Sequence, residues 1–261
     1  MTPLDVIELT IGAVIVVYVF VDFIFTTIGT NVYYFVSHRL ARGVFALHRT
    51  LPDLRWKYHV VGPLCMSVVA IWWIAGLAVG WTMILHALEP GILRQGPETP
   101  ASLIGALSHA GHMLSTVGGG ITKAGSMASA LLGVMAAVTG MVVLTLSVSF
   151  ILSTTQTVLA GRSLLMLTHA IPPEDVDFKS TILPDVASLV SNINSAPFAL
   201  FYSHPEPEMR LPGALASLYR QTEGDTRAAL DRILSRIALV ERLDGPGDLD
   251  DWAKQYDIAS G

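Results

Sequence analysis

Cysteine is almost missing from this chain. Cys65 stands alone inside an apolar run, so one chain can build neither a disulfide framework nor a thiolate metal site, and a small buried side chain is its expected role. Charge is scarce too. Only 14% of the 261 residues are charged while 52% are hydrophobic, and soluble domains average about 25% charged, so a membrane protein is expected. The formal charge of −5, with no dense basic stripe in either half, excludes a nucleic-acid partner. No glycine-rich nucleotide fingerprint, nucleophile–base spacing or paired metal motif is present. A dinucleotide-sensing domain, a bound cofactor and an enzyme active site are therefore not expected.

Long apolar runs fill most of the first 157 residues. Val6 to Ile28 is long enough to cross a hydrocarbon core of roughly 30 Å, and the acidic residues before it do not fit a secretory signal. Asp22 lies inside this run. A carboxylate there must sit near an interface, face protein or carry a proton, so Asp22 is a candidate pH-sensitive group as well as a tie to another helix. Between 31 and 59, Arg39, Arg42, Arg49, Arg55 and Lys57 stand against Asp53 alone, which marks the cytoplasmic side and puts the N-terminus outside. Tyr33, Val36, Leu40, Val44, Leu47 and Leu51 recur at helical spacing there, as expected of an amphipathic helix along the inner interface. Val60 to Leu88 is the second span, with Trp72 and Trp73 deep within it and Trp81 and His86 toward the outer end. Glu89 to Pro100 reads as an external turret without a fold of its own.

Ala101 to Leu114 is too short to cross and suits a re-entrant helix, with Pro100 in its first turn. His109 and His112, three apart, share a face and are either packing residues or pH-sensitive ones. Ser115-Thr116-Val117-Gly118-Gly119-Gly120 follows. Met127 to Thr157 is the third span, where Gly133 and Gly140 offer either a hinge or close helix packing. Thr145, Ser149, Ser153 and Thr157 form a polar line that would suit an aqueous cavity, although such hydroxyls also bond back to their own helix.

The segment Thr116-Val117-Gly118-Gly119-Gly120 resembles the filter of the tetrameric potassium channel superfamily, where a pore helix ends in Thr-Val-Gly-Tyr-Gly and backbone carbonyls replace an ion's hydration shell. Thr116, Val117, Gly118 and Gly120 match. Gly119 replaces the family's aromatic residue, and Ile121 stands where an aspartate usually follows. Small residues packing two helices together are the competing reading of the tripeptide. The resemblance covers about residues 60 to 157 and implies a homotetramer with no cofactor, conducting a monovalent cation such as potassium past Thr116 to Gly120, with Thr145, Ser149 and Ser153 lining the cavity below. A non-conducting membrane scaffold or regulator that keeps the channel fold is the alternative.

Beyond Val158 the chain carries nine Lys/Arg and fifteen Asp/Glu and reads as a soluble helical domain able to serve a cytoplasmic protein partner. Pro172-Pro173 ends the stalk. Helices are expected over Leu183 to Ile193, Leu211 to Thr222 and Thr226 to Leu243, the last with Asp225 as N-cap. Phe198, Phe201 and Tyr202 lie in an aromatic connector, and a loose acidic tail follows Gly245. The expected fold class is an all-α membrane protein: three transmembrane helices, a re-entrant pore helix and filter loop, and a C-terminal helical cytoplasmic domain. Its divisions are 1–58, 59–157 and 158–261, in the inner cell membrane with the C-terminus cytoplasmic.

Overall fold

The computed structural model describes residues 2–28, 36–52, 54–118, 120–237 and 249–259. The described chain is all-helical apart from two three-residue strands: α1 (Pro3–Thr27), α2 (Val36–Arg49), α3 (Arg55–His86), β1 (Ile92–Arg94), α4 (Leu103–Leu114), β2 (Thr122–Ala124), α5 (Met127–Ala170), α6 (Phe178–Ser195), α7 (Leu211–Gln221), α8 (Gly224–Leu234) and α9 (Leu249–Gln255). Three of them, α1, α3 and α5, are long and apolar enough to cross a membrane. Contacts divide the chain into two compact units, one of Met1–Phe25 with Ala70–Ser149, the other of Thr26–Val69 with Phe150–Gly261.

In the first unit, α1 starts where Pro3 needs no N–H partner, and the Asp5 amide donates to Thr2 Oγ1 at 3.3 Å. Glycine brings α1 against α3. A Cβ at Gly12 would lie 2.8 Å from the Gly80 carbonyl oxygen, and one at Gly76 would lie 2.8 Å from Val19 Cγ2. Below this crossing Asp22, fully buried, accepts hydrogen bonds from Trp72 Nε1 at 3.0 Å and Trp73 Nε1 at 3.1 Å. The indoles answer the demand that an intramembrane carboxylate face protein. Trp81, expected at an interface, is buried instead.

The turret has structure, contrary to expectation. β1 pairs antiparallel with β2 in the register Ile92↔Ala124, Leu93↔Lys123 and Arg94↔Thr122. Hydrogen bonds from Gln95 N to Ile121 O (2.9 Å) and Gly125 N to Gly91 O (2.8 Å) extend this neck on either side. Everything between, α4 included, is thus an excursion closed at its base. Pro100 sits in a bridge with Leu93, three residues ahead of the helix rather than in its first turn. Ser102 caps α4 by accepting from Gly105 N at 3.3 Å.

α5 opens with a reciprocal cap between Ser126 and Ser129 and runs for 44 residues, about 66 Å at 1.5 Å per residue. It continues well past Thr157, because nothing before Pro172 interrupts helical geometry. A rise in charge marks a change of environment, which need not be the end of a helix.

The second unit is built around rings. The aromatic connector forms a 3-10 turn, Pro197–Phe201, all five residues of which are buried. Phe198 meets Phe150 of α5 with ring centroids 5.2 Å apart, and Phe201 meets Phe45 of α2 at 5.6 Å. His38 lies 5.7 Å from both Phe198 and Phe201. Tyr202 packs where a Cβ at Gly62 would lie 2.5 Å from its ring. α2 therefore buries Ser37, His38, Ala41, Phe45 and His48, while Leu47 of the expected apolar stripe is 70% exposed. The rings outcompete that stripe for the protein interior; Tyr33 lies outside the described residues. Cys65, fully buried, donates from Sγ to Ala41 O at 3.4 Å. Lys57, one of the basic residues between 31 and 59, is buried and caps α2 through the carbonyls of Arg49 (3.2 Å) and Leu51 (3.0 Å).

α6 extends beyond Leu183 to Ile193 at both ends and buries Phe178, Ile182, Val186, Leu189, Val190 and Ile193 as one stripe. Asp225 is in the first turn of α8 and not its N-cap, which is Glu223. The helix expected over Thr226 to Leu243 ends at Leu234 with Ser235 as its C-cap, and residues 238–243 of that expectation lie outside the described residues. The loose acidic tail is a correction: α9 forms over Leu249–Gln255 and buries Leu249, Trp252 and Ala253. Leu249, Trp252, Ala253 and Tyr256 follow helical spacing, a signal the acidic composition outweighed.

Candidate functional site

The loop after α4 is shaped first by how that helix ends. Thr116 N donates to Met113 O at 2.9 Å, and Val117 N donates to His112 O at 3.0 Å. These are the paired bonds of a Schellman ending, and Thr116 occupies the left-handed position that glycine usually takes, at φ 61°. Gly118 at φ 97° and Gly120 at φ 60° are left-handed as well. Glycine accepts that geometry without strain, whereas a β-branched threonine at positive φ is an outlier that its surroundings must hold in place. Gly119 lies outside the described residues. Val117 and Ile121 are 76% and 73% exposed, so the loop carries apolar side chains outward.

Both histidines of α4 tie the helix to the return limb. His109, buried, shares a 2.9 Å hydrogen bond with Thr122 Oγ1 on β2. His112 donates from Nδ1 to Ser108 O at 2.6 Å, so its other edge faces Gly120, where a Cβ would lie 2.9 Å from Nε2. Any larger residue at position 120 would push the ring away. Asp22 belongs to a different constellation, the one it makes with Trp72 and Trp73.

α5 supports the loop from one side. A Cβ at Gly140 would fall 1.9 Å from the Leu114 carbonyl oxygen, so α5 lies directly against the last turn of α4. Gly133 is less confined, its nearest neighbour being Met113 Sδ at 3.8 Å from a Cβ placed there. Of the two readings for these glycines, Gly140 has the contact of a packing seat. Leu131, Val134, Met135, Val138, Met141 and Leu144 of α5 are exposed.

The hydroxyl line divides. Thr145, Ser149 and Ser153 are exposed, while Thr157 is buried. Thr145 Oγ1 donates to Met141 O at 2.9 Å and Ser149 Oγ to Thr145 O at 3.4 Å. Their protons are spent on the helix, and their oxygens present lone pairs outward. Such a surface can coordinate cations or water. Among the described residues no three His, Cys, Asp or Glu side chains gather as a metal-ligand group.

Sequence reasoning missed the β1–β2 neck, the Ser102 cap and the seat at Leu114. Only the cap had a local signal, a serine just ahead of an apolar helical run. Comparison with protein-family models, curated proteins and solved structures finds no match for this chain.

Proposed function

We propose that the chain is one subunit of a homotetrameric cation channel of the potassium-channel kind, its filter formed by Thr116 to Gly120. The observation that carries this reading is the left-handed backbone at Thr116, Gly118 and Gly120, every second residue of the loop. Alternating backbone hands turn successive carbonyls toward the same side, which is what a row of cation sites requires. Threonine kept in the left-handed region at the first of these positions adds a hydroxyl oxygen to that row, at a cost in strain that glycine would avoid.

Other features support the same assembly. The exposed Val117 and Ile121 give the loop apolar surface for neighbouring copies, and the exposed apolar residues of α5 offer area to copies or to lipid. The C-terminal end of α4 directs its partial negative charge toward the loop, where a cation would be held. Thr145, Ser149 and Ser153 supply oxygen lone pairs to a cavity below the filter. The basic residues between 36 and 59 fit a cytoplasmic location in the inner cell membrane, with the N-terminus outside.

The second reading, a non-conducting scaffold with the same fold, is favoured by one observation. The Schellman bonds to the Met113 and His112 carbonyls account for the hand of Thr116 through helix capping alone. Flux measurements on purified protein in liposomes separate the two. A potassium gradient is expected to drive cation flux that Thr116→Ala and Gly118→Ala abolish. An intact tetramer without cation flux would reject the channel and leave the scaffold.

A further inference from the structure

The segment 249–259 has the properties of a ligand that belongs to its own receptor. Trp252 and Ile258 are fully buried, and Leu249 and Tyr256 nearly so, yet the helix that carries them, α9, has only seven residues. A helix of that length has little stability apart from the surface it docks on. The dock is formed by α7, which α9 packs along, and by the 3-10 turn, where Tyr256 meets Phe201 with ring centroids 5.5 Å apart. Two ion pairs flank the contact. Arg210 Nη1 donates to Asp257 Oδ1 at 3.0 Å, and Arg220 pairs with Asp250 at the exposed edge.

The fit is incomplete. Trp252 Nε1 is buried and finds no acceptor among the described residues. A cavity of about 530 Å³ lies between the segment and residues 207–220, and another of about 260 Å³ separates Gln255 and Tyr256 from α2. An orphaned buried donor, open space on two sides and a short helix all lower the cost of undocking.

What the segment touches gives its release a consequence. Tyr256 packs edge-on against Phe201, Phe201 lies tilted against Phe198 at 5.8 Å, and Phe198 meets Phe150 of α5 edge-on at 5.2 Å. A side branch runs from Phe201 to Phe45 on α2, whose Ala41 carbonyl holds the thiol of Cys65. We propose that residues 249–259 are a releasable latch which, when docked, fixes α2 and the Phe150 region of α5 through this run of rings. Its effect on conduction rests on the channel reading; its docking does not.

Three measurements on the membrane-embedded chain test the proposal. In the wild-type protein, amides of 252–256 are expected to exchange with solvent about a hundredfold faster than those of Val186 to Val190 in α6. Equal rates would mean that the segment opens only with the whole unit, and would overturn the latch. Trp252→Ala is expected to raise the alkylation rate of Cys65 by N-ethylmaleimide about tenfold, and Asp257→Asn about threefold, with a synthetic 249–259 peptide reversing the Trp252→Ala effect. No change in Cys65 reactivity in either variant would reject the coupling to α2, and failure of the peptide to reverse it would reject docking in favour of general unfolding. Cation flux in liposomes gives the third reading. A change in flux in Trp252→Ala supports coupling to α5, and unchanged flux beside raised Cys65 reactivity rejects it. Raised Cys65 reactivity with no flux even in the wild type supports the latch and rejects the channel.

Discussion

The two units differ in what their most confined glycines meet. In the unit of Met1–Phe25 and Ala70–Ser149, close contacts form where glycine lets one main chain reach another: Gly12 against the Gly80 carbonyl, Gly91 against that of Leu85 and Gly140 against that of Leu114. In the other unit, the atoms facing Gly62 and Gly161 are side chains, the ring of Tyr202 and the end of Leu211. Lipid tails are as apolar as leucine, so helices within a bilayer gain little from burying large side chains and more from close approach. Rings bury large area and pack edge to face, and the second unit collects them. Tolerance to substitution should follow. Main chain cannot step aside for an added methyl group, but a flexible side chain can.

Gly140→Ala is the largest test of that contrast. Its Cβ would sit 1.9 Å from the Leu114 oxygen, and relief requires moving either α5 or the end of α4, so a loss of about 3 kcal/mol or more is expected. Gly161→Ala would place its Cβ 3.0 Å from two Leu211 methyl groups that can rotate away, and should change stability by less than about 1 kcal/mol. Thermal unfolding in detergent measures both. Equal penalties would show that the two units do not differ in this respect.

Asp22 is the exception in the first unit, a charge-bearing group buried among apolar helices. Removing its carboxylate by Asp22→Ala strands the N–H groups of Trp72 and Trp73, at about 3 kcal/mol for the two, whereas Asp22→Asn retains an acceptor oxygen and should cost about 1 kcal/mol. Denaturant midpoints of the two variants distinguish hydrogen bonding from charge as the role of this residue. Equal losses would assign the role to charge.

What was legible in the sequence, and what was not, follows from the range of the contact involved. Each apolar run carries its own signal, so all three long helices were readable, as was the short helix before the glycine loop. The need of Asp22 for partners was legible; their identity was not, because Trp72 and Trp73 lie fifty and fifty-one positions away. The seat of Gly140 was hidden for the same reason. α9 was missed for a different one. The acidic composition after Gly245 argues for a solvated tail, the spacing of Leu249, Trp252, Ala253 and Tyr256 argues for a buried helix face, and the spacing prevails. In the loop, glycine at 118 and 120 announced left-handed backbone, but threonine at 116 argues locally against it, and only the helix ending explains the conformation.

Acid should separate the units next. Burial first, and Arg42 beside it second, push the pKa of His38 down to about 4, so the folded second unit holds this ring neutral. A folded pKa below the unfolded value of about 6.5 means that stability is complete above that pH and falls as pH drops through 6.5 toward 4. At pH 5 the loss from His38 alone is about 2 kcal/mol. The unfolding midpoint should therefore drop between pH 7 and pH 5 in the wild type and drop less in His38→Phe, which keeps a ring against Phe198 and Phe201. A wild type whose midpoint does not move would mean that His38 already carries its proton or is solvated.

The smallest effect falls on the loop, where its sign matters more than its size. Thr116 pays for a Cβ in the left-handed region, while the helix ending that imposes this geometry is satisfied equally well by glycine. Thr116→Gly should therefore raise stability by about 1 kcal/mol, read as a few degrees in the thermal midpoint, and Thr116→Ala should leave it nearly unchanged because alanine meets the same steric penalty. Neither change touches the seat at Gly140, so a gain confined to glycine isolates the strain at this one residue. If Thr116→Gly stabilises the protein and removes cation flux, the strain is tied to what the hydroxyl does. If it stabilises and flux persists, the threonine is dispensable and the carbonyls at Gly118 and Gly120 must suffice.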